Sequence, residues 1–164
     1  MQIALLIVDM QPVHLRGRVG GEAVERACAY INFAAERLRG GGHPVVHVLD
    51  VEGMEEANRG DFDPIPGIVV KDGDLKVSKE SGNAFWRTEL EARLTERGAE
   101  LVVIAGFAAE QCVLFTYNGA AERGFTPVLL QNGLLSAYPD AIASAVRDRN
   151  LISHPVIAYM TGRS

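Results

Sequence analysis

One stretch of the chain predicts its fold: Leu101-Val-Val-Ile-Ala-Gly106-Phe-Ala-Ala-Glu-Gln-Cys112, followed by a helical pattern that continues to Arg123. The apolar run before Gly106 is typical of a strand buried on both faces. A short loop follows and ends at Cys112, in the first turn of the next helix, where backbone N–H groups lack helical partners. We therefore expect a strand–loop–helix unit of an α/β protein, with a thiol beyond the carboxyl end of its strand.

The same alternation of apolar runs and helical patterns continues along the whole chain. Apolar runs predict strands over residues 2–9, 44–49, 75–78, 100–105, 126–130 and 155–160. Helical spacing predicts helices over residues 20–39, 85–97, 110–123 and 139–149, and the polar segment 52–67 predicts a loop. Strands that alternate with helices form a parallel sheet covered on both faces. We expect one α/β domain over residues 1–164, a length that suits a single core.

The composition excludes several classes of partner. The 164 residues carry a formal net charge of -5 without a basic stripe, which argues against nucleic acid and anionic membrane surfaces. The apolar start of the chain is too short for a signal or membrane segment and ends in Asp9, so we expect a cytoplasmic protein with a small-molecule substrate. In that compartment the two cysteines, Cys28 and Cys112, are not expected to form a disulfide.

Three chemically useful side chains follow three predicted strands. In open parallel sheets, sites form beyond the carboxyl ends of the strands, and Asp9, Lys79 and Cys112 all stand there. Taken singly, each has a plain structural explanation, as a turn-capping Asp, a solvated Lys or a buried Cys; their equivalent positions favour a site. We expect Cys112 to be the nucleophile, with its pKa lowered by Lys79 and the helix N-terminus, and Asp9 to shuttle the proton. The N–H groups of Ala108 and Cys112 are candidate oxyanion donors.

The chain also resembles a known family along nearly its whole length. The residues that carry the resemblance are Ile7-Val-Asp9-Met-Gln11, Lys79-Glu-Ser-Gly-Asn-Ala-Phe85 and Gly106-Phe-Ala-Ala-Glu-Gln-Cys112-Val113. They resemble the motifs of the isochorismatase-like cysteine hydrolases, which include isochorismatase, nicotinamidase and N-carbamoylsarcosine amidohydrolase.

The resemblance has specific implications for fold, mechanism and assembly. It implies a three-layer α/β/α fold with a six-stranded parallel sheet in the order 3-2-1-4-5-6. It implies an Asp–Lys–Cys catalytic triad, here Asp9, Lys79 and Cys112. It implies a cis peptide bond between Phe107 and Ala108 that turns N–H groups toward the oxyanion. Because the family commonly forms oligomers, it also implies a homo-oligomer.

The metal set of the nicotinamidases is missing from the corresponding segment. Those enzymes carry an Asp-x-His pattern and a further His after the second strand, whereas here the segment is His47-Val-Leu-Asp50-Val-Glu52. Two carboxylates are a poor match for that zinc or iron site. We therefore expect neither a metal nor another cofactor.

Several residues are candidates for contact with the substrate. Gln11 and His14 follow the first strand, and Phe62 and Trp86 are candidate apolar walls, with core packing as the alternative for the two aromatic residues. An anionic substrate would need a cation nearby, for which the candidates are Arg16, Arg59 and Arg87.

The sequence leaves three functions open. The first is a cysteine hydrolase that cleaves a C–N bond of a small amide or carbamoyl compound through a thioester. The second is an isochorismatase-type vinyl-ether hydrolase, in which Asp9 acts as the acid and the thiol matters less. The third is a non-catalytic binding protein that keeps the fold.

Overall fold

Six parallel strands form one sheet at the centre of the molecule. A computed structural model describes residues 1–162. Its strands are β1 (Gln2–Val8), β2 (Val45–Asp50), β3 (Leu75–Lys79), β4 (Ala99–Phe107), β5 (Thr126–Leu135) and β6 (Leu151–Ile152). Its helices are α1 (Pro12–Leu15), α2 (Gly21–Gly40), α3 (Leu90–Glu96), α4 (Cys112–Glu122), α5 (Pro139–Asp148) and α6 (His154–Met160), with a 3-10 helix at Glu56–Phe62. The sheet order β3-β2-β1-β4-β5-β6 confirms the predicted topology.

The alternation of side chains along β1 divides the core into two apolar layers. Ile3, Leu5 and Ile7 point to one face, where they pack with the buried side of α2 and with α6. The intervening residues of β1 point to the other face and pack with α3, α4 and α5. Helices therefore cover both faces, as expected for an all-parallel sheet.

The 20-residue helix α2 has an apolar side and a charged side. Its buried residues, which include Ile31 and Leu38, face the sheet, and Arg37 and Arg39 lie in its last turn. Cationic side chains at that end interact favourably with the helix dipole. Within residues 1–162, no helix is both long and apolar enough to cross a membrane.

The predicted strand over residues 155–160 is wrong, because this segment forms α6. Pro155 lies in the first turn of α6, where its missing N–H costs nothing, whereas it would remove a hydrogen bond from a strand. Ile157 is fully buried against the α2 side of the core. The sixth strand is the pair Leu151–Ile152, which lies beside Leu129 and Leu130 of β5.

Two other boundaries differ from the prediction by several residues. The helix expected from residue 85 starts only at Leu90, because Arg87 has a φ of 55°, which a right-handed helix does not allow. Strand β5 does not stop at residue 130. Asn132, with a φ of 63°, and Gly133 interrupt its pairing, after which Leu134 and Leu135 lie beside Gly106 and Phe107 of β4. This extension brings residues 136–138 to the carboxyl edge of the sheet.

Candidate active site

The carboxyl ends of β1, β3 and β4 bring Asp9, Lys79 and Cys112 together. The Lys79 Nζ lies 3.0 Å from Asp9 Oδ2 and 3.4 Å from Cys112 Sγ. Asp9 and Lys79 are buried, with 1% and 2% of their surfaces exposed, whereas Cys112 is only partly buried. One ammonium thus bridges a carboxylate and a sulfur at the edge of the sheet.

The backbone around Asp9 holds its carboxylate in place. Asp9 has a φ of 51°, a left-handed conformation uncommon for a residue other than glycine, and its N–H donates to the Val48 carbonyl at 3.0 Å. On the other side of β1, a Cβ at Gly106 would lie 2.1 Å from the Val8 carbonyl oxygen. Only glycine allows β4 to approach β1 so closely just before the loop that carries Cys112.

The loop before α4 exposes two backbone N–H groups beside the thiol. The Phe107–Ala108 peptide bond is cis, and the Ala108 carbonyl accepts hydrogen bonds from the N–H groups of Gln111 and Val113, at 3.0 and 3.2 Å. Within residues 1–162, the N–H groups of Ala108 and Cys112 donate to no other residue. They are therefore free to donate to an oxyanion in the cavity that both residues line.

The three charged or ionisable groups shift one another's pKa values. Burial raises the pKa of the Asp9 carboxyl, and Lys79 offsets only part of this effect. Burial and the neighbouring Asp9 carboxylate raise the pKa of the Cys112 thiol to about 12. Burial lowers the pKa of Lys79, but the negative charges of Asp9 and Cys112 outweigh burial, so that the pKa rises. The expectation of a lowered Cys112 pKa is therefore wrong, and at neutral pH the resting site holds a thiol beside an ammonium.

A cavity of about 450 Å³ opens above the thiol. Its lining residues come from the carboxyl ends of β1, β4 and β5 and the loops that follow: Asp9, His14, Arg18, Phe107, Ala108, Glu110, Gln111, Cys112, Ala137 and Tyr138. Five of these, Arg18, Glu110, Gln111, Ala137 and Tyr138, were not predicted as site residues. The rule that sites lie beyond strand ends would have located the last two, had the predicted β5 extended to Leu135.

A larger cavity of about 640 Å³ lies between α1, α2 and residues 65–67. It is lined mainly by apolar side chains and contains the second thiol, Cys28. Burial alone raises the pKa of Cys28, without a charged neighbour. The 450 Å³ cavity contains a thiol with an ionisable neighbour, Asp9, and we therefore regard it as the candidate active site.

Three predicted substrate contacts lie outside the 450 Å³ cavity. Gln11 is fully buried and binds backbone, since its Nε2 donates to the carbonyls of Asp50 and Phe62, at 2.9 and 2.7 Å, and its Oε1 accepts from Asp50 N–H at 3.0 Å. The Phe62 side chain is also buried. Trp86 is 52% exposed and lies beside a different cavity, where the Arg87 guanidinium covers its ring at 5.5 Å.

His14, in contrast, does line the active-site cavity. Its Nε2 lies 3.1 Å from Asp50 Oδ2, and its ring stacks near that of Phe107, with the centroids 6.2 Å apart. Burial alone would raise the pKa of Asp50, but its contacts with His14 and with the Glu52 N–H lower it. The side chain of Asp50 is therefore ionised beside the imidazole.

One group of three side chains within residues 1–162 offers metal-type ligands: Asp9, His14 and Asp50, with ligand atoms within 4.8 Å of one another. The group contains a single imidazole, and one of its carboxylates is already paired with the Lys79 ammonium. The Lys79 ammonium lies 3.0 Å from Asp9 Oδ2, and its positive charge opposes the binding of a metal cation to the same carboxylate. These residues therefore fit a zinc ion poorly. His47, the histidine nearest the family's metal position in the sequence, instead contacts Asp74 at 2.8 Å.

Comparisons with known proteins agree with the fold. The isochorismatase domain family matches residues 3–158. An uncharacterized isochorismatase family protein of Bacillus subtilis, YaaI, is 30% identical over 135 residues, which cover 75% of each chain.

Solved structures show the same fold. An isochorismatase-like hydrolase from Alkaliphilus metalliredigens superposes with a TM-score of 0.86 at 19% identity, covering 98% of this chain and 99% of the other. An N-carbamoylsarcosine amidase from Thermoplasma acidophilum superposes with a TM-score of 0.79 at 22% identity, covering 93% and 95%. The match over residues 3–158 decides the family: this chain belongs to the isochorismatase-like hydrolases.

Proposed function

We propose that this protein is a cysteine hydrolase that cleaves a C–N bond of a small amide or carbamoyl compound. The observation that carries the proposal is the bridge from Asp9 through Lys79 to Cys112, with N–O and N–S distances of 3.0 and 3.4 Å. The two residues that this ammonium joins, Asp9 and Cys112, both line the cavity of about 450 Å³. A thiol with a raised pKa needs a base beside it to become a nucleophile, and Asp9 is that base.

In the first half-reaction, Cys112 attacks the carbonyl carbon. Asp9 takes the proton from the thiol as the C–S bond forms, and the electron pair of the carbonyl moves to its oxygen. The N–H groups of Ala108 and Cys112 stabilise that oxyanion. Asp9 then gives the proton to the leaving nitrogen, the C–N bond breaks, and a thioester remains on Cys112.

In the second half-reaction, water hydrolyses the thioester. Asp9, again a carboxylate, takes a proton from the attacking water. As the C–S bond breaks, Asp9 returns the proton to the sulfur, which restores the thiol. Lys79 keeps its positive charge throughout and stabilises both the carboxylate and the transient thiolate.

Two features favour an amide or carbamoyl substrate over a vinyl ether. Free N–H groups beside the thiol suit a tetrahedral oxyanion, which forms when a carbonyl is attacked but not when an ether is protonated. The second feature is the similarity to a protein named N-carbamoylsarcosine amidase. The cavity volume also suits a small molecule.

A pair of cysteine variants tests the proposal. Ammonia release is measured with N-carbamoylsarcosine, nicotinamide and acetamide, and p-nitrophenyl acetate serves as a general acylating probe. Cys112→Ala should lose about 10⁴-fold or more in turnover. Cys28→Ala is the matched control, because Cys28 is a buried thiol in the other cavity, and it should retain wild-type turnover. Full activity of Cys112→Ala would contradict the mechanism.

A further inference from the structure

His14 and Asp50 form a second polar pair beside the three residues discussed above. The contact between His14 Nε2 and Asp50 Oδ2, at 3.1 Å, lies at the edge of the cavity that contains Cys112. Both side chains are mostly buried, with 20% and 14% of their surfaces exposed. The mechanism proposed above uses neither side chain.

The backbone and side chain of Asp50 are both fixed. The Gln11 carboxamide binds the Asp50 carbonyl and N–H, and Asp50 Oδ1 accepts a hydrogen bond from the Glu52 N–H at 2.9 Å. The other carboxylate oxygen is left for His14. The Asp50 carboxylate favours a proton on His14 Nε2, but Nε2 is buried and makes no hydrogen bond with residues 1–162, so this N–H is free to bind a small polar molecule.

One oxygen of Asp9 has no partner. Asp9 Oδ2 is bound to Lys79, but Oδ1 is buried and accepts no hydrogen bond from residues 1–162. A buried carboxylate oxygen is costly when it is left unsatisfied. Ligand atoms of His14 and Asp50 lie within 4.8 Å of the Asp9 carboxylate, so a single small polar molecule can contact both Asp9 and His14.

We infer that Asp9 Oδ1 and His14, the latter oriented by Asp50, bind the water that hydrolyses the thioester. The inference rests on the proposed thioester mechanism and assigns its second half-reaction to a further catalytic residue. The water donates one O–H to Asp9 Oδ1 and accepts a hydrogen bond from His14 Nε2–H, which leaves its second lone pair for the carbonyl carbon.

The chemical step balances with these groups alone. The water oxygen forms a bond to the thioester carbon, and Asp9 takes the proton that this oxygen loses. The carbonyl electron pair moves to the oxyanion and returns as the C–S bond breaks. The proton then passes from Asp9 to the Cys112 sulfur, and the product leaves as an acid. His14 holds the water but keeps no proton, so its removal slows only this half-reaction.

The two half-reactions can be separated with p-nitrophenyl acetate. Acylation of Cys112 releases p-nitrophenolate as a burst, and hydrolysis of the S-acetyl enzyme sets the steady rate that follows. For His14→Ala we expect a burst like that of the wild type and a steady rate lower by about 100-fold. Intact mass spectrometry should show one acetyl group on Cys112. Hydroxylamine cleaves the thioester without needing the bound water. Adding it should therefore increase the deacylation rate by a larger factor in His14→Ala than in the wild type.

Two further variants separate this role from a structural one. Asp50→Asn keeps the size of the side chain but changes the orientation of the imidazole, so it should also accumulate the acetyl enzyme. Arg93→Gln is the control, because the Arg93–Glu89 pair, at 3.4 Å, is a partly exposed ion pair on α3 outside the cavity. It should leave both phases unchanged.

Three outcomes would overturn the inference. Wild-type deacylation in His14→Ala would exclude a role for His14. An equal decrease in the burst and in the steady rate would show that His14 has a structural role only. If a chelator stopped deacylation in the wild type and zinc restored it, Asp9, His14 and Asp50 would be metal ligands instead. Absence of acetyl from Cys112 in the wild type would instead contradict the thioester mechanism on which the inference rests.

Discussion

Two buried aspartates at opposite ends of the sheet have opposite properties. Asp74 precedes β3 and accepts four hydrogen bonds: two from Arg39, at 2.8 and 2.6 Å, one from His47 at 2.8 Å and one from the Lys71 N–H at 2.9 Å. Burial alone would raise the Asp74 pKa, but these partners outweigh it and lower the pKa to about 2. Asp9 follows β1, has one oxygen without a partner, and has a raised pKa.

The difference concerns hydrogen-bonding capacity rather than burial. A carboxylate with hydrogen bonds at both oxygens stabilises the fold, and protonating it is costly. A carboxylate with a free oxygen, a raised pKa and a thiol beside it can accept and return a proton. The same residue type therefore has a structural role at one edge of the sheet and a proposed chemical role at the other.

Of the changes to these two aspartates, Asp9→Asn should have the largest effect, which is on turnover. An amide cannot take the Cys112 proton, so we expect turnover to fall by about 10³-fold, within the range for loss of a general base. The measurement is the steady rate with p-nitrophenyl acetate or with an amide found active. Circular dichroism should show that the variant is folded. Turnover within a few-fold of the wild type would show that another group accepts the proton of the Cys112 thiol.

A smaller effect, on stability rather than turnover, is expected for Asp74→Asn. A carboxyl whose pKa falls from 3.8 to about 2 on folding contributes roughly 2 kcal/mol at neutral pH. Urea unfolding at pH 7 should show a loss of about this size. Turnover per folded molecule should be unchanged, because Asp74 lies at the opposite edge of the sheet. A strong loss of turnover in Asp74→Asn at unchanged stability would show that Asp74 has a chemical role and not a structural one.

The smallest effect is the pH dependence of that difference in stability. The Asp74 pKa is lower in the folded chain, so acid protonates this carboxyl first in the unfolded chain and favours unfolding. The stability difference between the wild type and Asp74→Asn should be complete above about pH 4 and should decrease as the pH falls toward 2. Unfolding curves at several pH values provide the measurement. A difference that stays constant down to pH 2 would show that the charge of Asp74 does not carry the effect.

Much of the fold follows from periodicity in the sequence. Apolar runs locate the strands, and equivalent strand ends select Asp9, Lys79 and Cys112 before any coordinates are known. The errors have local physical causes. Pro155 begins a helix rather than a strand, and Arg87, with its positive φ, delays α3. Neither backbone conformation is specified by the hydrophobic pattern.

The electrostatics of the site could not be predicted from the sequence. A thiol in the first turn of a helix, near a lysine, suggests a low pKa. In the folded chain the pKa of the Cys112 thiol is raised instead, because burial and the neighbouring Asp9 carboxylate outweigh the effect of Lys79. Two contacts of Asp50 could not be predicted from the sequence either: its backbone binds the Gln11 side chain, and its carboxylate contacts His14. Both contacts join segments about 40 residues apart, which the spacing of residues along the chain does not bring together.

The Gln11 carboxamide has a consequence for protein engineering. Its hydrogen bonds to Asp50 and Phe62 replace a strand partner and anchor both ends of the segment between these residues. Because those bonds use main-chain atoms of the segment, most of its side chains are exchangeable in principle. Libraries in this loop can therefore vary the exposed side chains between the two anchor points. They should keep Gly53, which has a φ of 77°, and Asn58, whose side chain binds the Glu55 N–H and the Gly53 carbonyl.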